Sequence, residues 1–253
     1  ATKSPYYGQV RLGKGTAQSA ERPNDEYVTI ENRSKGAVTI SGWSLKNGDD
    51  ERSFLTWAGN YINVKARWVV IPNSQVVLNP ALPTNLAPIT LAPGERVVIT
   101  TGQMVRTRPI NLGSGFRTNI CTGYLVELAG YEFKPSLSRE CPAPRDELGI
   151  NSLPEDCYDY VRRLSRCHSP EFKDDRDEGL TIDGRVTEMR SVCRNYIKEH
   201  FSYEGCLKYH LGDANFLGDE WRVFLRTDEL WRESRESITL YDNAGRLVDR
   251  ITY

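Results

Sequence analysis

The sequence lacks the features that define several large classes of protein. Its 253 residues contain no apolar run of the roughly 18–20 residues that a membrane-spanning helix requires. Lys and Arg number 33 against 34 Asp and Glu, so the chain has no basic excess with which to displace counterions from a nucleic acid. The glycine-rich phosphate loop, the dinucleotide fingerprint, the serine-hydrolase elbow and the H-E-x-x-H zinc motif are absent. We therefore expect no nucleic-acid partner, no membrane span, no cofactor and no enzymatic activity.

Cysteine is absent from the first 120 residues and from the last 47. Between them lie Cys121, Cys141, Cys157, Cys167, Cys193 and Cys206. No two form a C-x-x-C pair, and an even number clustered in one segment favours local disulfides. Because disulfides persist in oxidising compartments, we predict an exported protein, extracellular or at the cell surface. The chain begins with Ala1, which leaves open whether a signal peptide or a membrane anchor preceded that residue.

The pairing of these cysteines stays open, because six cysteines allow 15 connectivities. One continuous helix would hold Cys157 and Cys167 about 15 Å apart, beyond the limit of roughly 7 Å between the Cα atoms of a disulfide. A crossed helical hairpin is therefore preferred, with the pairs Cys157–Cys206, Cys167–Cys193 and Cys121–Cys141. The alternative is local pairing, Cys157–Cys167 with Cys193–Cys206, if the chain folds back after the first helix.

Histidine is also scarce, with three residues in the whole chain. Cys193, His200, Cys206 and His210 form a C-x6-H-x5-C-x3-H series, and zinc is held by these two ligand types. The spacing matches no common zinc module, however. Two disulfide-bonded cysteines and two packing or surface histidines are the simpler interpretation, so we predict no metal site.

The two ends of the chain have the pattern of short strands separated by turns. Strands are predicted at residues 6–12, 27–32, 37–40, 43–45, 67–72, 75–78, 89–91, 96–100, 221–225, 237–241 and 246–253. Turn-forming residues at 47–50 and 242–245 are typical of hairpins. We therefore predict a mainly β fold in which residues 25–114 and 216–253 form one discontinuous antiparallel sandwich.

Residues 1–24 form an N-terminal arm, whose strand pairs within its own sandwich or with the edge of a neighbouring subunit. Residues 115–215, which contain all six cysteines, have helical patterns instead. Helices are predicted at 152–164, where a capping box opens the helix, at 187–201 and at 204–211. Because an insertion into a loop costs little closure entropy, we predict a small disulfide-stapled helical insertion that interrupts the sandwich.

Four segments of the β regions together resemble a lamin tail domain. They are residues 26–32 (E-Y-V-T-I-E-N), 40–45 (I-S-G-W-S-L), 91–99 (L-A-P-G-E-R-V-V-I) and 237–249 (S-I-T-L-Y-D-N-A-G-R-L-V-D), the last running on to Tyr253. Their order and spacing agree with that family. The resemblance implies an immunoglobulin-like β-sandwich that serves as a docking or surface-display module and carries no shared catalytic residues.

The same residues have physical roles that do not depend on the resemblance. Gly42 permits a sharp turn as Trp43 enters the core, and Pro93-Gly94 favours a type II-like turn. Residues 115–215 lie outside the usual pattern of the family and resemble inserts in stand-alone lamin-tail-like proteins of bacteria. A nuclear-lamina role is disfavoured, because the chain has no heptad rod and the nuclear environment is reducing.

Two further patterns have simple structural interpretations. Asp174, Asp175, Asp177 and Glu178 are the best calcium candidates, but they miss the EF-hand pattern and a solvated loop is the simpler interpretation. Asn32 begins an N-R-S glycosylation sequon, in a turn that already requires asparagine.

Three functional hypotheses follow from these observations. The first is a non-enzymatic, exported structural or interaction module, with a protein partner or self-association. The second is a module that binds a surface glycan or cell-wall polymer, with Trp57, in a predicted loop beside Gly59, Asn60 and Tyr61, as the exposed stacking residue. The other four tryptophans are expected in the core. The third is a hydrolase with a site between the sandwich and the insertion.

Overall fold

Strands make up most of the regular structure of the chain, which is mainly β. The computed structural model describes residues 2–51, 53–82, 84–102, 110–128, 130–172, 179–182, 185–188 and 191–253. Ala1–Thr118 with Asp219–Tyr253 form one compact unit, here called the β unit. Asn119–Gly218 form a second compact unit, here called the disulfide unit. The carboxylates predicted as calcium candidates, at 174–178, lie outside the described residues.

The strands of the described residues are β1 Val10–Gly13, β2 Tyr27–Asn32, β3 Val38–Thr39, β4 Ser44–Lys46, β5 Ser53–Leu55, β6 Tyr61–Asn63, β7 Trp68–Val70, β8 Thr90–Leu91, β9 Arg96–Thr100, β10 Gly115–Asn119, β11 Gly179–Ile182, β12 Arg185–Glu188, β13 Leu217–Phe224, β14 Ser237–Tyr241 and β15 Leu247–Thr252. The helices are α1 Glu155–Val161, α2 Ser191–His200 and α3 Tyr203–His210. Short 3-10 helices span Asp49–Glu51, Thr122–Glu127, Pro144–Asp146 and Ile150–Ser152.

Two larger sheets form the β unit. The first has the order β1-β2-β9-β13-β10; β1, β2 and β9 are antiparallel neighbours, whereas β9 and β13 run parallel. The second has the order β15-β14-β4-β7 and is antiparallel throughout. Shorter antiparallel pairs join β3 to β8 and β5 to β6. Since Val10 of β1 lies opposite Asn32 of β2, the N-terminal strand pairs within its own chain, as in the first of the two alternatives for the arm.

One hydrophobic core contains residues of both sheets. The first sheet contributes Val10, Val28, Ile30, Val97, Ile99, Trp221 and Val223, and the second contributes Leu45, Ile238, Leu240 and Val248. Burial alternates along β2, as expected of a strand with one face on a core. Burial of each such side chain stabilises the fold by about 1.5–3 kcal/mol relative to exposure.

The turns that join these strands depend on specific residues. Gly42 has a φ of +84°, a conformation that glycine adopts without strain, and the next residue, Trp43, is buried. Gly94 has a φ of +85° and lies in a turn closed by the Glu95 N–H, which donates to the Ala92 carbonyl at 3.0 Å. That geometry is a type II turn, which needs glycine at this position.

Three local predictions for the β unit are wrong. Residues 75–78 form no strand, because only isolated bridges occur at Ser74 and Gln75. Residues 47–50 do not close a hairpin: β4 pairs with β7 and β14, and a 3-10 helix follows it. Residues 67–72 were predicted as one strand, but β7 spans only Trp68–Val70 and lies at the edge of its sheet, with Trp68 and Val70 exposed.

All six cysteines of the disulfide unit are bonded, in the pairs Cys121–Cys206, Cys141–Cys167 and Cys157–Cys193. Three intramolecular disulfides indicate formation in an oxidising environment. Both arrangements considered from the sequence, the preferred one and its alternative, are wrong. The crossed hairpin placed Cys157 with Cys206 and Cys167 with Cys193, and the local alternative placed Cys157 with Cys167 and Cys193 with Cys206; neither set occurs. The structure instead joins α1 to α2 through Cys157 and Cys193, and joins α3 to the segment before Thr122–Glu127 through Cys206 and Cys121.

The first two helices are shorter than predicted, whereas the third has the predicted length and begins one residue earlier. α1 begins after Pro154, which makes no side-chain capping bond, and Ser152 belongs to a 3-10 helix, so no capping box forms. The predicted start of the second helix lies in β12. α3 is capped by Ser202, whose hydroxyl accepts the N–H of Gly205 at 3.0 Å. Such caps satisfy one of the free N–H groups at a helix start. Among the described residues, none of the helices has the length and apolar character needed to cross a membrane.

Candidate interaction surface

An exposed, apolar hairpin follows the short helix Asp49–Glu51. Its strands are β5 and β6, and its turn contains Trp57, whose side chain is fully exposed at 102 %. Leu55, Tyr61 and Ile62 are also exposed, at 61, 74 and 52 %. A two-stranded hairpin is marginally stable in water unless something packs on it. Four exposed apolar side chains therefore lie together on one short element of the β unit.

Polar bonds within the hairpin position its aromatic residues. The Thr56 N–H donates to the Asn60 carbonyl at 2.8 Å, and the Asn60 N–H donates to the Thr56 hydroxyl at 3.2 Å. Ser53 and Asn63 bond through their side chains at 2.5 Å at the open end. The turn is thus closed from within, which leaves Trp57 at the tip without a role in the fold.

Strand β7, four residues beyond the hairpin, continues this exposed region. The Asn47 N–H donates to the Arg67 carbonyl and the Ile71 N–H donates to the Trp43 carbonyl. Because such bonds alternate along an antiparallel pair, the backbone groups of Trp68 and Val70 point away from β4. Their side chains are 52 and 59 % exposed. Strand β7 therefore presents both apolar side chains and backbone hydrogen-bonding groups at a sheet edge.

The Trp68 ring is held in place on the outer face of the second sheet. It packs on Tyr241 with a centroid distance of 5.1 Å, and the Lys46 ammonium lies 5.1 Å from its centre. We call the exposed side chains of residues 53–70 the β5–β7 surface: Leu55, Trp57, Tyr61, Ile62, Trp68 and Val70. The prediction of an exposed Trp57 agrees with this position. The expectation that the other four tryptophans are core residues holds for Trp43, Trp221 and Trp231, which are buried, but not for Trp68.

The charge of this segment has one sign. Residues 53–70 contain Lys65 and Arg67 but no Asp or Glu. The Arg67 guanidinium donates to the carbonyls of Glu229 at 2.7 Å and Asp228 at 3.0 Å, so it is anchored to the loop before β14. Carbonyl partners do not neutralise its charge. Asp50 reaches the same segment from outside it, because its Oδ1 accepts the Ala66 N–H at 2.8 Å and its Oδ2 pairs with Lys46 at 2.6 Å. The β5–β7 surface is therefore apolar, with charges of both signs at its border.

Of the four residues considered as zinc ligands, the two histidines lie close together, but the two cysteines do not join them. Cys193 and Cys206 are each bonded to another cysteine, so neither offers a thiolate to a metal. His200 and His210 instead face one carboxylate, that of Glu147. Within the described residues, no group of three or more His, Cys, Asp or Glu side chains is arranged to hold a metal ion.

Glu147 is a residue that sequence reasoning missed. Its Oε1 lies 2.8 Å from Nδ1 of His200, and its Oε2 lies 3.1 Å from Nε2 of His210. The second ring nitrogen of His210 lies 2.8 Å from Oδ2 of Asp213. Glu147 and His200 are buried. No local pattern marks Glu147, because it lies 53 and 63 residues before its partners.

The glycosylation sequon at Asn32 is inaccessible. Asn32 is fully buried. Its amide donates to the carbonyls of Gly36 and Leu91, both at 2.8 Å, while its oxygen accepts the Ser34 N–H at 2.9 Å. The asparagine therefore closes a turn and links it to the strand pair β3–β8. This is the structural role that the sequence analysis gave to Asn32.

Comparison with known proteins adds no relative: no family model, no curated protein and no solved structure matches the chain.

Proposed function

We propose that this protein is a non-enzymatic, exported interaction module that docks a protein partner on the β5–β7 surface. The observation that carries the proposal is the fully exposed Trp57 at the tip of a hairpin whose other apolar residues are exposed as well. Tryptophan and tyrosine are enriched among the residues that dominate binding energy at protein interfaces. Apolar side chains that served only to stabilise the fold would be buried, and they would not be expected to cluster on an exposed hairpin.

The proposed scaffold is an immunoglobulin-like sandwich that resembles a lamin tail domain, interrupted by the disulfide unit as a helical insertion. The shared core of the two larger sheets supports the sandwich. The four segments of the resemblance supply β2, β4, β8, β9, β14 and β15. An accessory module of this kind needs no catalytic residues, and its function would lie in its surface.

Export is supported by the three disulfides. The cytosol keeps thiols reduced, whereas secreted and cell-surface proteins retain such bonds. An extracellular setting, at the cell surface or in an assembly, is therefore part of the proposal.

The chemistry of the surface defines the partner that would fit. Its apolar centre calls for an apolar or aromatic face on the partner. Its border carries Lys65 and Arg67 beside the carboxylate of Asp50, so a complementary partner presents charges of both signs there. The outward backbone groups of β7 could add hydrogen bonds to an extended segment of that partner.

A glycan or cell-wall polymer is the second candidate, favoured by Trp57 alone. A free tryptophan face stacks on a sugar ring as readily as on a protein side chain. Trp68 suits a sugar less well, because Tyr241 and Lys46 already pack against it.

Binding of fluorescently labelled protein to intact cells of the producing organism tests the proposal. We expect saturable binding that Trp57→Ser and Leu55→Ser each weaken at least tenfold. Leu82→Ser is the matched control, because Leu82 is 56 % exposed against 61 % for Leu55 and lies outside the surface. It should leave the affinity unchanged. Sedimentation velocity of the same variants reports whether a second copy of the chain is the partner.

The outcomes separate the candidates. Loss of binding after protease treatment of the cells supports a protein partner. Loss on competition with soluble cell-wall glycans, with resistance to protease, supports the glycan alternative instead. Binding that survives both Trp57→Ser and Leu55→Ser would show that this surface is not the docking site.

A further inference from the structure

The row Asp213–His210–Glu147–His200 in the disulfide unit contains two carboxylates and two imidazoles in direct contact. An ionised carboxylate only accepts hydrogen bonds, so each ring nitrogen that faces one must carry a proton. His200 presents a single nitrogen, Nδ1, to Glu147, and the neutral ring satisfies that contact. His210 presents both of its nitrogens to carboxylates: Nε2 to Glu147 and Nδ1 to Asp213. Its neutral form can satisfy only one of them.

We propose that His210 is a proton-operated latch, which in its doubly protonated form fastens the end of α3 and the turn at Asp213 to the buried Glu147. Loss of one proton leaves a lone pair facing a carboxylate. The contact to Asp213 is the one that opens, because the Asp213 side chain is 43 % exposed and can turn to water, whereas that of Glu147 is 5 % exposed. The device is independent of the docking proposed for the β unit.

Neighbouring aromatic rings restrict the movement of the His200 side chain. The His200 ring lies between the rings of Tyr196 and Tyr209, with centroid distances of 4.1 and 3.9 Å. Tyr196 is fixed by its hydroxyl, which donates to the Leu148 carbonyl at 2.8 Å, next to Glu147 in the chain. Tyr209 donates to Glu199 at 2.6 Å. Tyrosine rings on both faces of His200 leave it little freedom to turn away from Glu147.

Other charged groups near the row come from each packed element. Glu199 of α2 acts electrostatically on His200 and is itself paired with Lys208 of α3 at 2.5 Å. Tyr124, on the 3-10 helix Thr122–Glu127, feels the charges of Glu147 and Glu127, and burial together with these charges raises its pKa. Of these three outer charged groups, Glu127 and Glu199 are acidic and Lys208 is basic. This balance favours a positive charge on His210.

The pKa of His210 agrees with the geometry. Burial lowers this pKa, but the bonds to Asp213 and Glu147 outweigh burial and raise it above the ordinary value of 6.5. A raised histidine pKa means that the folded state holds the proton more tightly than the open state. The latch therefore contributes its full stability below pH 6.5 and loses it as the pH rises through the raised pKa of His210.

Nitrogen-15 NMR of the histidine rings in the full-length protein tests the protonation state. At pH 6.5 we expect both His210 nitrogens to be protonated, with a midpoint above the ordinary value of 6.5. Asp213→Asn should lower the His210 midpoint, because an amide oxygen or N–H can match either form of the ring. His168→Gln is the control that should leave the His210 titration unchanged. A singly protonated His210 at pH 6.5 would overturn the proposal.

Hydrogen exchange tests the mechanical consequence. The reporters are the amides of Asp213, which donates to His210, and Leu211, which donates to Leu207. After correction for intrinsic exchange, their protection should fall by up to tenfold per pH unit between 6.5 and the His210 midpoint, and then level off. The Ile40 amide of the β unit, which donates to Ile89, should show no such step. The proposal is wrong if protection at Asp213 is independent of pH, or if Asp213→Asn leaves its pH dependence unaltered.

Discussion

Cys121 is bonded to Cys206, 85 residues further along the chain, and this bond closes the longest disulfide loop of the protein. In the chain-entropy account, a loop of this length stabilises the fold by about 4.5 kcal/mol and the 26-residue loop of Cys141–Cys167 by about 3.5 kcal/mol. We expect the double variant Cys121→Ala/Cys206→Ala to lose more stability than Cys141→Ala/Cys167→Ala. Denaturant unfolding of both measures the difference. Equal losses would contradict the entropic ranking.

The pairing itself is checked by mass spectrometry. Intact mass should rise by about 6 Da on reduction, because three disulfides each take up two hydrogens. Peptide mapping without reduction should recover Cys121–Cys206, Cys141–Cys167 and Cys157–Cys193. Recovery of Cys157–Cys206, or of any free thiol, would show a different framework.

Gly123 leaves room for a disulfide. A Cβ at this position would collide with the sulfurs of Cys141 and Cys167. We expect Gly123→Ala to lower the free energy of unfolding by about 1–3 kcal/mol, the usual cost of overpacking. Gly212→Ala is the matched control, because a Cβ there meets open space. It should be neutral, or more stable by about 0.4–1 kcal/mol. Thermal and denaturant unfolding compare the two.

Asn32 should behave as a structural residue and not as a glycosylation site. Expression in a glycosylating host should give no added mass at Asn32, because its amide is buried and occupied. Asn32→Asp removes both donated bonds and buries a charge, so it should cost about 2–4 kcal/mol. Ser34→Ala also destroys the sequon but keeps the Asn32 amide bonds, and should cost about 1 kcal/mol or less. Glycan attachment at Asn32 in folded protein would refute this role.

The carboxyl group of Asp242 makes the stability of the fold depend on pH in the acidic range. Burial raises the pKa of this carboxyl, but bonds from the Arg246 N–H and guanidinium, the Ser4 hydroxyl and the Ala244 N–H outweigh burial and hold the pKa below its ordinary range. A lowered pKa contributes stability above the unfolded value of about 3.9 that is lost as the pH falls. Asp242→Asn should lose stability at pH 7 and show a flatter decline below pH 4. Asp219→Asn, at an exposed position, is the control. Unfolding curves between pH 2.5 and 7 measure both.

Strands whose local pattern matches their packing were the easiest to predict. β2, β9 and β14 were predicted with the observed bounds, since each is a β-branched or aromatic run bounded by turns. The position of β7 could not be predicted, because Trp68, Val69 and Val70 are apolar in succession. Such a run occurs both in central strands and in edge strands with an exposed apolar surface. Only its neighbours decide which one it is. Here β4 covers one side and no described strand covers the other.

Local patterns in the chain were enough to predict three features of this protein: a β-rich fold, a cysteine-bearing segment with short helices, and an exposed tryptophan beside a turn. These follow from periodicity, turn chemistry and residue type, which act over a few residues. The disulfide partners, the edge position of β7 and the meeting of His200 and His210 on Glu147 were decided by tertiary structure alone. Each joins residues separated by tens of positions, and the hydrophobic driving force that brings them together depends on buried area and has no direction along the chain.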